Sequence, residues 1–458
     1  MNRNYSNERR HAIVIGGSMA GLLAARVLAE HYEQVTLVER DGLPVSREAR
    51  RGVPQGRHTH GLLASGRNVL ETLFPGISSE LITAGAVTGD ILRDVRWFFE
   101  GACHVRFVSG MDGLLMSRPF LEATVRERVR QLPNVIFCDN CAVSALATEK
   151  GRVTGVELGD RVLAANLVID ALGRGTHSPE WLEAMGFVKP EEERVEIGLS
   201  YTTRSFRRSP EHLYGDSAVV IPPTPSGKRG GVMAAQEGGR WGVSLISHFG
   251  APAPAELDGF IEFAKTLPGP DIYEVVRQAE PMGEGAILRF PASVRRHYEK
   301  LDRFPEGYLV MGDAISSFNP VYAQGMSTAA LESMELQAVL REGTENLARR
   351  FFRRVSKVVD TPWSIAVGND LRMPETIGRR SFAVNAINAY IAKLHKAAHY
   401  DPVVALAFHK VANLLAPPPS ILAPRIALRV LWGNLRAHSK PVRCSQMLRT
   451  STAVRSDL

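Results

Sequence analysis

The sequence begins with a strand–helix–strand pattern of apolar positions. A run rich in β-branched residues, His11 to Ile15, leads into a turn of glycines and small residues, and an apolar helix-forming run follows from Leu22 to Leu28. A second short apolar run, Val35 to Val38, comes next and ends in an acidic residue. Short, continuously apolar strands joined by a helix are typical of parallel sheets, so this segment predicts a β–α–β unit.

The turn of this unit, Gly16-Gly17-Ser18-Met19-Ala20-Gly21, is close to a dinucleotide-binding fingerprint. The first glycine permits a tight turn and the last lets the helix pack closely on the strand, while the helix N-terminus favours a pyrophosphate. A serine replaces the middle glycine, and the acid after the second strand suits ribose hydroxyls. The predicted cofactor contacts are Gly16, Ser18, Ala20, Gly21, Glu39 and Arg40. A glycine-rich turn without a ligand is the alternative.

A second strand followed by a Gly-Asp pair lies far along the chain. Tyr308 to Val310 leads into Gly312 and Asp313, and a helix is predicted to begin near Gly325. An aspartate there suits a ribityl hydroxyl, and a helix N-terminus can stabilise negative charge on a reduced flavin ring. An ordinary strand, turn and helix is the alternative for this segment taken alone.

The later parts of the chain have different patterns. Residues 179–284 contain short apolar runs separated by proline and glycine clusters, which predicts an antiparallel sheet. From residue 346 onward the pattern is mainly helical, with Asp401-Pro402 as a helix start. Residues 421–432 predict a short amphipathic segment, which we expect to pack on the protein body, with contact to a membrane surface left open.

Composition and charge argue against several classes of protein, among them nucleic-acid-binding and metal-binding proteins. The net charge is +7, from 55 basic and 48 acidic residues, and no long basic run is interleaved with aromatic residues, so we expect no nucleic-acid partner. Four cysteines do not make a disulfide scaffold, and the lone Cys138-x-x-Cys141 is weak evidence for zinc, so we predict no metal. The sequence has no signal-peptide pattern and no apolar stretch of about 18 residues, which predicts a cytoplasmic protein.

The motifs around residue 313 resemble the Gly-Asp motif of the group A flavoprotein monooxygenases, the family of aromatic hydroxylases and squalene epoxidase. The resemblance implies that Gly312, Asp313, Gly325 and Met326 contact FAD. Ser117-Arg118-Pro119-Phe120-Leu121 is similar to the family's Arg-x-x-Leu helix, which implies that Arg118 contacts FAD, and Val143 occupies the place of an adenine contact. A cation is unfavourable at a helix N-terminus, which itself indicates an anion near Arg118.

One segment departs from the family pattern. Asp170 is followed by Ala171 where the family has Asp-Gly, and this form looks more like the bacterial FAD epoxidases of polyether biosynthesis. Residues 52–63, 237–241, 361–363 and 370–374 are similar to the same enzymes. We expect Arg51 to lie near the cofactor, and Phe318, Pro320 and Tyr322 to line the substrate side, with plain packing as the alternative. For His58 and His60 we favour a structural or flavin-adjacent role over that of a general base.

The resemblance implies a fold and a reaction. The expected fold is α/β, a Rossmann-like FAD-binding domain of the glutathione-reductase type with an inserted antiparallel substrate sheet and a helical C-terminal region. The expected pieces are 1–85, 102–178 and 285–345 for FAD, 86–101 and 179–284 for substrate, and 346–458 for the helices. The expected reaction inserts one oxygen atom from O2, by epoxidation or hydroxylation, into a lipophilic small molecule such as a polyene, prenyl or polyketide intermediate. It is expected to proceed through a C4a-hydroperoxyflavin after reduction by NAD(P)H.

Three alternatives remain from the sequence. A flavin halogenase is related in fold, but its Trp-x-Trp-x-Ile-Pro motif is absent. A prenyl-chain reductase or dehydrogenase would share the FAD motifs without using oxygen. A flavin-binding protein without turnover belongs to a different class of function.

Overall fold

The computed structural model describes residues 9–44, 46–50 and 52–436. The strands, in chain order, are β1 His11–Ile15, β2 Gln34–Val38, β3 Val87–Asp90, β4 Val95–Phe99, β5 Ala102–Cys103, β6 Asp112–Leu115, β7 Val135–Cys138, β8 Ala145–Glu149, β9 Arg152–Leu158, β10 Arg161–Ala164, β11 Leu167–Asp170, β12 Glu192–Arg207, β13 Ala218–Ile221, β14 Arg229–Gln236, β15 Arg240–His248, β16 Pro281–Arg296, β17 Tyr308–Val310 and β18 Ser316–Ser317. The α-helices are α1 Met19–Leu28, α2 Ala64–Leu73, α3 Ile77–Thr83, α4 Arg118–Arg130, α5 Ser178–Ala184, α6 Leu257–Lys265, α7 Asp271–Val276, α8 Gly325–Arg341, α9 Leu347–Asp370, α10 Phe382–Ala398, α11 Pro402–Ala412 and α12 Pro424–Arg436.

A five-stranded parallel sheet forms the first layer, in the order β17-β11-β1-β2-β7. Its central strands are buried, as the continuous apolar runs predict, and α1 packs between this sheet and α8. Because the strands run in the same direction, the turns after β1, β2, β11 and β17 meet at one edge of the sheet. The predicted strand–helix–strand unit at the N-terminus is confirmed.

An eight-stranded sheet forms the second layer, in the order β18-β16-β12-β15-β14-β13-β4-β5. All of its pairs are antiparallel except that of β13 with β4. The antiparallel sheet predicted within residues 179–284 is confirmed. The long strand β16 continues past residue 285, and β4 and β5 join the sheet from earlier in the chain. The division of the chain into the domains given above stays a prediction.

The region after residue 346 is helical, as predicted. Asp401 caps α11, since its side chain accepts hydrogen bonds from the amide nitrogens of Val403 and Val404 at 2.9 and 3.3 Å. The expected packing of α12 on the protein body is only partly right, because Ile426 and Val430 are buried while a set of large apolar side chains is exposed. These are Leu428, Leu431, Trp432 and Leu435. Within the described residues no helix is long and apolar enough to cross a membrane.

Candidate active site

The turn between β1 and α1 leaves no room for side chains at Gly16 and Gly21. Gly16 has a φ of +104°, and a Cβ atom there would lie 2.6 Å from the carbonyl oxygen of Ala171. A Cβ on Gly21 would lie 1.8 Å from the carbonyl oxygen of Gly16, so only glycine lets the helix pack on the turn. No side chain caps the N-terminus of α1, and the positive end of a helix dipole favours an anion there.

Glu39 is fixed where β2 ends. Its Oε2 accepts a hydrogen bond from the amide nitrogen of Gly17 at 2.7 Å, and its Oε1 accepts one from the amide nitrogen of Asp41 at 3.1 Å. The carboxylate thus lies beside the turn after β1, at the position predicted for the ribose contact. Arg40, the next residue, is exposed.

Arg50 also belongs to this site, although no sequence motif contains it. Its guanidinium is buried between two carboxylates, with Nη1 2.9 Å from Glu39 Oε2 and Nε 3.0 Å from Glu122 Oε1. Glu122 occupies the buried stripe of α4, where the helical spacing places Leu121 and Val125. A charged residue on a buried helix face requires a partner, so the position of Glu122 indicates a buried cation but does not identify it as Arg50. The predicted neighbour, Arg51, lies outside the described residues.

Arg118, the first residue of α4, lies against the same turn. Its Nη2 donates a hydrogen bond to Ser18 Oγ at 3.0 Å, and the Ser18 hydroxyl donates to Glu122 Oε2 at 2.8 Å. The Arg118 Nε is buried and has no hydrogen-bond partner among the described residues. A buried donor without an acceptor is costly, so this arginine is arranged for a ligand that carries acceptors.

The Gly-Asp turn after β17 packs directly on the start of α1. Gly312 has a φ of +69°, and a Cβ atom there would lie 2.8 Å from Ala20 Cβ. No described residue donates a hydrogen bond to the Asp313 carboxylate, and burial raises its pKa although Arg118 and Arg174 lower it. A Cβ on Gly325, where α8 begins, would lie 3.6 Å from Asp313 Oδ1. The two glycine motifs thus meet in space, about 300 residues apart in sequence.

Met326, the second residue of α8, faces Arg118. Both line a small void of about 10 Å³ together with His60 and Leu121. The predicted contacts Arg118, Asp313, Gly325 and Met326 therefore surround one region. Val143 lies farther out, half-buried in the loop after β7, which is held beside β2 by a hydrogen bond from the Cys141 amide nitrogen to the Glu39 carbonyl oxygen at 2.9 Å.

Residues 318–323 connect the Gly-Asp turn to α8. Asn319 Nδ2 and Tyr322 Oη both donate hydrogen bonds to Asp370 Oδ1, at 2.7 and 2.9 Å. Burial raises the pKa of Asp370 to about 7, and its Oδ2 has no partner among the described residues. Phe318 is directed into the core, where its ring lies 6.2 Å from that of Trp363, so it is not part of the substrate-side wall that the sequence predicts.

A large cavity of about 1350 Å³ lies on the other side of this loop. Pro320 and Tyr322 line it, together with strands β13 to β15 and the helices α9 to α11. The wall is mainly apolar, as in sites that bury a lipophilic molecule, and the volume exceeds that of pockets for drug-sized ligands.

His60 lies at the junction of the loop and the cavity, and His58 is buried two residues before it. His60 Nδ1 contacts the carbonyl oxygen of His58 at 2.9 Å, so Nδ1 carries the proton and Nε2 is an acceptor. Burial and the nearby Arg118 lower the pKa of His60 to about 3. His58 contacts Thr203 Oγ1 at 2.9 Å, and burial lowers its pKa to about 4. Both rings are therefore neutral and weakly basic, which fits an orienting role better than that of a general base.

The chain is similar to known proteins over almost its whole length. It is 33% identical to Protein Rv3254 of Mycobacterium tuberculosis over 469 residues, which cover 97% of this chain and 98% of the relative. The chain belongs to the family of Protein Rv3254. That name states no reaction, and no protein-family model matches the chain.

Solved structures identify the fold of this family member. A flavoprotein/dehydrogenase from Cytophaga hutchinsonii superposes with a TM-score of 0.67 at 13% identity, covering 93% of this chain and 98% of that protein. The p-nitrophenol 4-monooxygenase PnpA from Pseudomonas putida superposes with a TM-score of 0.61 at 17% identity, covering 88% and 98%. The predicted fold class is therefore confirmed: the chain has the fold of FAD-dependent monooxygenases.

Proposed function

We propose that this protein is an FAD-dependent monooxygenase that takes electrons from NAD(P)H and inserts one atom of O2 into a lipophilic molecule held in the cavity. The polar groups around the two glycine motifs fit FAD. Asp313 is an acceptor without a donor, Arg118 Nε is a donor without a hydrogen-bond acceptor, and no side chain caps the start of α1. A ligand with both ribityl hydroxyls and phosphates complements all three.

The observation that carries the proposal is the position of residues 320–324. They follow Asp313 and precede Gly325, the two expected flavin contacts, and they form part of the cavity wall. A cofactor held at these contacts would share this loop with a molecule in the cavity. Bound FAD would supply the redox chemistry and the activation of oxygen.

The protein's own residues hold the loop between the two sites in position and exclude water from the cavity. Asp370 holds Tyr322 and Asn319, which fixes the loop between the two sites. The apolar wall excludes water from the reacting face, which suppresses loss of activated oxygen to solvent. His60 Nε2 lies at the junction as a neutral acceptor, so it orients a donor group and does not remove a proton.

The experiment begins with the flavin content of the purified protein, measured by mass spectrometry after denaturation. The protein is then reduced with NADH or NADPH without oxygen and mixed with aerated buffer and a panel of prenyl and polyene compounds. A product heavier by one oxygen atom, formed only with reductant, supports the proposal. A product with a reduced double bond and no oxygen would identify a reductase, and bound FAD without reductant-dependent chemistry would identify a flavin-binding protein without turnover.

A matched pair of variants tests the cofactor site separately. Asp313→Ala removes the unpartnered carboxylate and is expected to weaken FAD binding at least tenfold. Asp302→Ala removes an exposed carboxylate near β17 and is expected to bind FAD like the wild type. Equal FAD binding by both variants would contradict the assignment of the flavin site.

A further inference from the structure

Three histidines form a hydrogen-bonded row beside the cavity. His104 Nδ1 lies 3.1 Å from His409 Nε2, and His104 Nε2 lies 3.1 Å from His395 Nδ1. His104 comes from the segment after β5, whereas the other two come from α11 and α10. All three rings are buried, and we name them the histidine row. None of them belongs to the expected flavin contacts.

Burial determines the charge of the histidine row. It lowers the pKa of His409 to about 3, and it lowers the pKa of His104 and of His395 well below the ordinary value, with Arg372 acting in the same direction on His395. Each ring is therefore neutral and carries one proton. Each contact joins two nitrogens, of which one donates and one accepts.

The number of protons limits which of the two outer nitrogens, those outside the contacts, can carry one. Three neutral rings carry three protons; two lie within the contacts, and the third lies on His409 Nδ1 or on His395 Nε2. His409 Nδ1 is buried without a partner among the described residues. An unpaired lone pair is less costly there than an unpaired N–H. The third proton therefore belongs on His395 Nε2, which makes this outer nitrogen a hydrogen-bond donor.

Both ends of the histidine row lie in the cavity wall, since His395 and His409 are among its lining residues. Of the two outer nitrogens, His409 Nδ1 is fully buried, and no described residue makes a hydrogen bond to His395 Nε2. Aromatic rings surround the row: Phe99 stacks on His395 with ring centroids 4.2 Å apart, and Trp97 lies 4.7 Å from His409. The row thus provides polar groups in a largely apolar enclosure.

The arrangement does not suit a metal ion. His104 uses its two nitrogens toward two different rings, so the three histidines do not point to a common centre. Within the described part of the chain, no group of three or more His, Cys, Asp or Glu side chains could hold a metal. The row has the geometry of a hydrogen-bonding site.

We propose that the histidine row is the polar recognition site of the cavity, where His395 binds an uncharged oxygen, a hydroxyl or a carbonyl, of the lipophilic ligand. This inference rests on the proposed function in taking the cavity as the substrate site. An N–H donor suits both oxygen types, since a carbonyl oxygen and a hydroxyl oxygen each accept a hydrogen bond.

The charges of the wall favour a neutral ligand end. The charged residues among the described lining residues are Asp94, Glu100 and Arg372. Arg372 pairs with Glu100 at 2.6 Å, and Asp94 pairs with Arg93 at 2.8 Å. A buried carboxylate or ammonium group on the ligand would therefore have no free counter-charge, and burying an unpaired charge is strongly unfavourable.

The test measures binding of four naphthalene probes by ultrafiltration of the full-length protein at pH 8. 2-Naphthol and 2-acetylnaphthalene carry an uncharged oxygen, naphthalene carries none, and 2-naphthoate carries a charge. The variant His395→Phe removes the hydrogen bond but keeps a ring. The control His248→Phe replaces another buried histidine of the same wall, which is bonded to the Ile197 carbonyl oxygen and not to the row.

We expect His395→Phe to weaken binding of the two uncharged-oxygen probes about five- to tenfold, as for loss of one hydrogen bond, and to leave naphthalene within about twofold. His248→Phe should change neither. The wild type should bind 2-naphthoate more weakly than 2-naphthol. The proposal would be overturned if His395→Phe weakened naphthalene binding as much as 2-naphthol binding, or if His248→Phe weakened binding of the uncharged-oxygen probes as much as His395→Phe does. It would also be overturned if 2-naphthoate bound the wild type most tightly of the four probes.

A second measurement does not depend on the folding of a variant. In wild-type protein with ¹⁵N-labelled histidine, 2-naphthol should shift the ring-nitrogen resonances of the row, while naphthalene should not; no shift with 2-naphthol would overturn the proposal. Neither measurement requires reductant or oxygen. Binding through His395 without oxygen transfer would therefore disprove only the monooxygenase proposal, and oxygen transfer without dependence on His395 would disprove only this one.

Discussion

Tyr322 Oη donates a hydrogen bond to Asp370 Oδ1 at 2.9 Å, which ties the loop before α8 to the end of α9. Asn319 Nδ2 donates to the same oxygen at 2.7 Å, so one carboxylate holds the loop at two points. Ala323, the next residue, has a φ of +55°, which is unfavourable for a non-glycine residue. The loop between the expected flavin contacts and the cavity is therefore held by a residue from the helical region.

Substitution of Asp370 tests this anchor. Asp370→Ala leaves two donors without an acceptor, and we expect it to lower the free energy of unfolding by about 2–4 kcal/mol. Asp370→Asn keeps the Oδ1 acceptor and resembles the protonated acid, which the raised pKa favours, so we expect a loss below about 1 kcal/mol. Urea denaturation measures both. If the two variants lost the same free energy of unfolding, the Asp370 side chain would not anchor the loop.

The contact between Gly312 and Ala20 gives a second prediction. Gly312→Ala places a Cβ atom 2.8 Å from Ala20 Cβ in a backbone with φ +69°. The left-handed backbone costs about 1 kcal/mol and the overpacking about 1–3 kcal/mol more. Gly173 has the same φ of +69°, but its nearest neighbour is an ordinary contact, Asp313 Cβ at 3.7 Å. Gly173→Ala should therefore lower the free energy of unfolding only by the cost of the left-handed backbone. If urea denaturation gave the same loss for Gly173→Ala and Gly312→Ala, the close packing of Gly312 on Ala20 would be ruled out.

The local motifs of this fold could be predicted from the sequence, because glycine spacing and apolar runs depend on neighbouring residues. The turns at Gly16 and Gly312, the start of α4 and the cap at Asp401 all lie where the patterns indicated them. The contacts of Arg50 and Asp370 could not be predicted, because each joins segments about 50–70 residues apart without a local pattern. The same holds for Phe318, whose direction depends on Trp363 in a distant helix.

Arg50 gives the third prediction. Its side chain is only 7% exposed and separates the buried carboxylates of Glu39 and Glu122. Arg50→Met leaves both carboxylates without this cation, and removal of one partner from a buried ion pair costs about 3–5 kcal/mol. The neighbouring exposed residue provides the control, since Arg40→Met should change the free energy of unfolding by less than about 0.5 kcal/mol. If thermal and urea denaturation showed a similarly small loss of stability for Arg50→Met and Arg40→Met, the buried ion pairs would be unimportant for stability.

Glu332 gives the fourth prediction, a dependence of stability on pH. Burial raises the pKa of this α8 residue to about 8, with the nearby Asp313 acting in the same direction, although the Gly312 amide nitrogen donates a hydrogen bond to its Oε2 at 2.6 Å. The native protein therefore holds a proton that the unfolded chain releases near pH 4.5. Because the native state binds more protons, this group makes the protein less stable as the pH rises from about 4.5 to 8, with no further change above that range.

The variant Glu332→Gln keeps an oxygen that can accept from Gly312 and cannot ionise. Its free energy of unfolding relative to wild type should therefore rise between pH 5 and pH 8 and level off above pH 8, as measured by urea denaturation across that range. The control Glu335→Gln lies on the same helix at a half-buried position 3.7 Å from Arg354, and it should show no such rise. A constant difference between wild type and Glu332→Gln from pH 5 to pH 8 would mean that Glu332 is ionised throughout, beside the unpartnered carboxylate of Asp313.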